Sequence, residues 1–82
     1  MNNKNKYWLA ELEFKKTIKE QLIAPGACKS LMQTRNCIER LHYLIKALRE
    51  KYDHVPVAAV ELFNNYNTIQ EKLLYKEFKK SY

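Results

Sequence analysis

The sequence predicts an all-α protein, a small antiparallel three-helix bundle, and three observations carry that prediction. The chain has one Gly and two Pro in 82 residues, too few turn residues for a sheet of short strands. Those breakers fall in only two places, Ala24-Pro25-Gly26 and Asp53-His54-Val55-Pro56. Between them, Leu31 to Tyr52 repeats apolar residues every seven positions, the period of one helix face. With 46% apolar and 12% aromatic residues, a single domain over 1–82 has the material for a core. A chain of this size buries ~60–65% of its unfolded surface.

The first helix is expected over about 6–24. Tyr7, Phe14, Ile18 and Leu22 cluster on one side, and Trp8, Leu12 and Ile23 form a neighbouring line. The apolar arc is wide and is interrupted by Glu11, Lys15 and Lys19, whose stems can lie along apolar surface. Such an arc suits a helix touched on two sides. Pro25 biases Ala24 away from helical geometry, and Gly26 offers the positive φ that ends helices.

The second helix is expected over about 27–52. Its seam is Leu31, Ile38, Ile45 and Tyr52, with Leu41 and Leu48 between them and Thr34 as the weak member. Ile38, Leu41, Ile45 and Leu48 are the residues expected to be almost fully buried. From Leu31 to Tyr52 the helix would be a rod of roughly 33 Å. Asp53 reads as the cap of the third helix and Pro56 as a member of its first turn. That helix is expected over about 56–80, with a seam of Ala59, Leu62, Tyr66, Ile69 and Leu73 and with Phe63 beside it. Near its end the stripe migrates to Leu74, Phe78 and Tyr82. Short connections make consecutive helices antiparallel neighbours.

Fifteen basic side chains face nine acidic ones, a formal charge of +6. That excess suits nucleic acid, an anionic membrane surface or an acidic protein partner, and it also keeps a small protein soluble. In an up-down-up bundle Lys15, Lys16, Lys19, Lys29, Arg35, Lys72, Lys76, Lys79 and Lys80 approach one pole. Tyr75 and Tyr82 lie among them, a composition suited to phosphates and stacked bases. Helix-dipole compensation places Lys at helix ends equally well.

Cys28 and Cys37 are the only cysteines. If both lie on the second helix they are roughly 13 Å apart along its axis, beyond a disulfide's reach. Free thiols in a reducing compartment are therefore expected. The polar start MNNKNK and the short apolar run YWLA fit neither a secretory signal nor a membrane span, so a cytoplasmic location is expected.

Arg35, His42 and Arg49 stand seven apart and so line one edge of the second helix. Arg35-Asn36 followed by His42 is similar to the Arg-then-His signature of HEPN-type ribonucleases, helical proteins that pair two such motifs across a dimer. The resemblance covers eight residues. It implies His42 as the acid–base or 2′-OH-directed group, Arg35 as the phosphate-holding group and Asn36 as a supporting polar residue. Taken without the resemblance, the same edge is the solvated flank of a helical seam.

Other chemistry finds no footing. Cys28, Cys37, His42 and His54 form neither a C-x2-C nor an H-x3-H pair, so no metal and no cofactor is expected. No hydroxyl sits in a Gly-framed elbow and one Gly cannot build a phosphate loop. The expectation is a non-enzymatic protein without a small-molecule substrate. It would bind a protein partner in the manner of small chaperones, immunity or antitoxin-type proteins or transcription co-regulators. A homodimer is expected, because Trp8, Tyr43, Tyr75, Phe78 and Tyr82 exceed what three helices hide among themselves. The expected partner-binding residues are Trp8, Arg35, His42, Arg49, Tyr75 and Phe78. The alternative, nucleic-acid binding, rests on Lys72, Lys76, Lys79 and Lys80, and ribonuclease activity through Arg35 and His42 is a third reading.

Overall fold

The computed structural model describes residues 3–80, and the side chains of residues 6–79. Tyr82 and the Lys80 side chain, both singled out above, lie outside the described residues. Three α-helices follow one another: α1 (Asn3–Gln21), α2 (Leu31–Tyr52) and α3 (Val57–Lys80), with one 3-10 turn, Pro25–Ala27, between the first two. No strand occurs among the described residues. α1 runs antiparallel to α2: Arg40 on α2 reaches Gln21 at the end of α1, whereas Lys51 at the end of α2 reaches back to Glu13. α3 returns along α2, and its Tyr66 meets Ile23 just beyond α1. The fold is the small three-helix bundle the breaker pattern predicts.

The helix boundaries correct the sequence reading in four ways, each with a local cause. α1 spans Asn3–Gln21 rather than 6–24, because Pro25 holds Ala24 extended (φ −57°, ψ 145°) and the last helical bond is Leu22 N–H to Ile18 O. α2 begins at Leu31 rather than 27. Ser30 caps it, its Oγ accepting from Gln33 N–H at 3.1 Å, while Gln33 Oε1 accepts from Lys29 N–H at 2.9 Å. This is a capping box shifted by one residue on its return bond, which reaches Lys29 rather than Ser30, and its signature, Ser30 followed three residues later by Gln33, stands in the sequence.

Gly26 supplies no positive φ; it lies within the 3-10 turn, with open space where a Cβ would project. Asp53 takes that role instead. It ends α2 in the left-handed region (φ 53°, ψ 36°), with its N–H bonded to Arg49 O at 2.9 Å, and is not the cap of α3. Asp is among the few non-Gly residues that enter this region readily. α3 starts at Val57, with Pro56 O accepting the first turn's N–H from Ala59.

The core is built from Ala10 and Phe14 of α1, Cys28 of the connection, Cys37, Leu41, Leu44 and Leu48 of α2, and Ala59 and Tyr66 of α3. Leu41 and Leu48 are fully buried, as their spacing predicts, but Ile38 and Ile45 are only half-buried. The buried line on α2 is Thr34, Cys37, Leu41, Leu44 and Leu48. Cys37 and Leu44 lie roughly 100° round the helix from Ile38 and Ile45. α1 packs on that side, where Arg40 and Lys51 reach it, and so draws the centre of the stripe away from the isoleucines. Thr34 is no weak member: its hydroxyl donates to Ser30 O at 2.9 Å, so its burial leaves no unsatisfied polar atom.

The helices are staggered. The molecule measures 59 × 18 × 16 Å, whereas α2 is a rod of roughly 33 Å. Glu11 of α1 already sits beside His54, past the end of α2, so the start of α1 from Asn3 extends beyond that end. At the other pole α3 runs past the Pro25–Cys28 turn.

Candidate functional site

The antiparallel order sets the expected partner-binding residues at different heights of the bundle. Trp8 stands on the projecting start of α1 and is 63% exposed. Tyr75 and Phe78, 64% and 62% exposed, stand near the end of α3 at the opposite pole. Arg35, His42 and Arg49 are exposed along one edge of α2, between the poles. The His42 ring meets Tyr43 edge-on at 6.0 Å. The structure thus gathers these residues into two aromatic ends and a basic edge, not into one patch. Lys72, Lys76 and Lys79 are all exposed on α3, with the Lys79 ammonium 5.8 Å from the Tyr75 ring centre.

Two grooves flank the Pro25 turn, and both carry lysines. One, of about 600 Å3, runs between the turn and α3; Pro25, Gly26, Cys28, Ile69, Lys72 and Lys76 are among its walls. The other, of about 440 Å3, lies between α1 and α3 and is bounded by Lys15, Ile18, Lys19, Leu22, Leu62 and Tyr66. Lys15, Lys19, Lys72 and Lys76 therefore converge on one turn, as antiparallel packing of short-linked helices requires.

A polar cluster closes the opposite pole. Glu13 Oε1 accepts from Lys51 Nζ at 3.0 Å and from Tyr52 OH at 3.3 Å. The Glu13 hydrogen bond is the first cause holding the Lys51 ammonium above its usual range. His54 Nε2 lies 3.4 Å from Glu11 Oε1, and the Tyr7 ring covers the imidazole at 4.4 Å between centres. These contacts fasten the start of α1 to the α2–α3 connection.

The densest constellation lies where α1 ends, and sequence reasoning missed it. Leaving the helix strands the last carbonyls of α1 without partners from its own backbone. Side chains from the rest of the bundle take them: Arg40 donates to Gln21 O at 3.0 Å, and the Tyr66 hydroxyl donates to Ile23 O. Cys37 Sγ lies 3.9 Å and Cys28 Sγ 4.0 Å from that same Ile23 oxygen, and Cys28 Sγ lies 3.6 Å from Ala24 O.

The thiols are therefore not held apart on a single helix, contrary to the expectation from spacing. Cys28 is not helical; it folds back from the connection over Cys37. Both are free and buried. Burial first, then Cys37 beside it, pushes the Cys28 thiol up, with the Thr34 side chain acting the other way. Burial likewise raises the Tyr66 phenol far above its usual range, with Cys37 as the next cause. The pair is invisible in the sequence as long as α2 is taken to begin before Cys28 rather than after it.

Among the described residues no three His, Cys, Asp or Glu side chains gather in a way that could hold a metal ion. No helix among them is long and apolar enough to cross a membrane. No family model matches the chain, and no curated protein or solved structure matches it either.

Proposed function

We propose that the chain is a non-enzymatic binding module whose exposed aromatic ends take a protein partner, a second copy of the chain being the first such partner. One observation carries the reading: Trp8 and the Tyr75–Phe78 end stay largely exposed, outside the core the three helices close among themselves. Tyr and Trp are residue types that dominate interface energies, and rigid aromatic ends lose little entropy on docking. Each of these side chains is well over half exposed and gives its own end of the bundle an apolar anchor for a partner. The second reading, nucleic-acid binding, draws on the convergence of Lys15, Lys19, Lys72 and Lys76 around the Pro25 turn.

Sedimentation velocity over a micromolar concentration series tests the first reading. The expected mass is a multiple of 9.9 kDa, and Trp8→Ala or Phe78→Ala should return it to that of the monomer. A monomer at every concentration overturns self-association. Fluorescence anisotropy with labelled RNA and DNA tests the second reading. Tight binding at physiological salt, weakened by Lys72→Ala with Lys76→Ala, would replace the protein-partner reading, with a log–log salt slope falling by ~0.7–0.9 for each phosphate no longer neutralised. RNA cleavage that disappears in His42→Ala would replace both.

A further inference from the structure

We propose that Cys28 and Cys37 form a redox-active dithiol. A small anionic disulfide of the glutathione class enters the groove between the Pro25–Cys28 turn and α3, exchanges with Cys28, and is displaced by Cys37 to leave an intrachain disulfide. Three independent features of the structure converge on this. The two sulfurs face one carbonyl oxygen, that of Ile23, at 4.0 and 3.9 Å, so the fold has already brought them together. Cys28 is also a wall residue of the groove of about 600 Å3, in which exposed Lys72 and Lys76 outweigh Glu71 and present positive charge to a carboxylate-bearing ligand. Cys37 faces a smaller recess, of about 170 Å3, on the α1 side, which assigns first attack to Cys28 and resolution to Cys37.

The exchange balances without any group foreign to it. Cys28 gives its proton to solvent, and its thiolate attacks one sulfur of the small disulfide. That S–S bond breaks, and the departing thiolate takes up a proton. Cys37 then loses its proton, and its thiolate attacks the Cys28 sulfur of the mixed disulfide. The second small thiol leaves protonated. Two protein thiols are oxidised by two electrons in all, and one small disulfide is reduced to two thiols. Burial of both sulfurs makes the first step slow, because the thiolate is the attacking species. The product ties the extended segment before α2 to the second turn of that helix and takes both sulfur atoms away from Ile23 O, leaving Tyr66 as its donor.

The test uses the full reduced chain in buffers of graded oxidised-to-reduced glutathione ratio, with acid quenching, alkylation, trypsin digestion and mass spectrometry. The expected product is a monomer in which peptide 20–29 is joined to peptide 36–40, preceded in time by glutathione on Cys28. Cys37→Ser should stall at that mixed disulfide. Pre-organisation makes a quantitative demand on the wild-type chain, which needs no variant to fold. Half-oxidation in native buffer should require a glutathione ratio at least about tenfold less oxidising than in concentrated urea. By the same linkage the oxidised chain should resist urea better than the reduced one.

Lys72→Gln with Lys76→Gln should slow the first step with glutathione disulfide by about threefold or more, while leaving the rate with uncharged hydroxyethyl disulfide unchanged. A stable mixed disulfide in the wild type overturns the proposal. So do disulfides between chains as the main product, or a native ratio equal to or more oxidising than that in urea. Equal slowing with both disulfides removes the groove as the route.

Discussion

Replacing Tyr66 with Phe isolates the interaction on which the meeting of all three helices depends. Tyr66 is 1% exposed, and its hydroxyl donates to the Ile23 carbonyl at the frayed end of α1. Phe keeps the ring and its packing, so the change removes a donor without opening a large cavity. The oxygen it deserts retains only two thiols, at 3.9 and 4.0 Å, which are weak donors. Ile23 is itself 39% exposed, so water can partly replace the donor, and the lost bond costs ~0.5–1.5 kcal/mol. A domain of this length is stable by about 4–12 kcal/mol, so the loss is a measurable fraction of the whole. With a slope of ~1 kcal/mol/M for a small domain, the urea midpoint followed by circular dichroism should fall by ~0.5–1.5 M.

Alkaline titration gives a second measure of the same bond. The fold favours the protonated phenol, since burial raises its pKa. Its contribution is therefore fully present below the unfolded value of ~10 and is lost as pH rises through the folded value. Stability of the wild type should fall between the unfolded value of ~10 and the folded value, and the fall should be shallower in Tyr66→Phe by up to ~1.4 kcal/mol per pH unit. An unchanged urea midpoint, or parallel alkaline curves for the two proteins, would refute the role given to the hydroxyl.

Two further substitutions probe the architecture. Leu41→Ala should cost ~2–5 kcal/mol, because Leu41 is fully buried between its neighbours. Ile38→Ala, at a half-buried position, should cost clearly less, and equal urea midpoints for the two variants would restore the isoleucine-centred seam. Asp53→Gly should be neutral or stabilising by up to ~1 kcal/mol, since φ at that position is 53°, and Asp53→Ala should destabilise. Loss of stability in Asp53→Gly would show that the Asp side chain, and not the backbone angle, matters there.

What the sequence determined by itself was the class and order of the elements. Low Gly and Pro content, two breaker clusters and a seven-residue repeat are local signals, because a helix is stabilised by bonds between residues four apart and is ended by residues that cannot make them. Even the start of α2 was legible in Ser30 and Gln33, whose capping box is a purely local motif. Leu41 and Leu48 were likewise readable as core from their spacing alone.

What only the tertiary structure decided was which side of each element faces its neighbours, and at what height. Ile38 and Cys37 are adjacent in sequence, and the arrival of α1 beside Arg40 and Lys51 is what buries the smaller one fully and the larger one only in part. The up-down-up order already sets Trp8 and the Tyr75–Phe78 end at opposite poles, but how far each projects was not legible, because register between helices is set by packing and by long-range contacts such as those of Glu13 and Tyr66. The thiol pair belongs to the same class. Cys28 and Cys37 meet because Pro25 ends α1 and leaves Ile23 and Ala24 carbonyls that must be satisfied from elsewhere. The connection then folds back over α2 at the height where Tyr66 and both sulfurs can reach them.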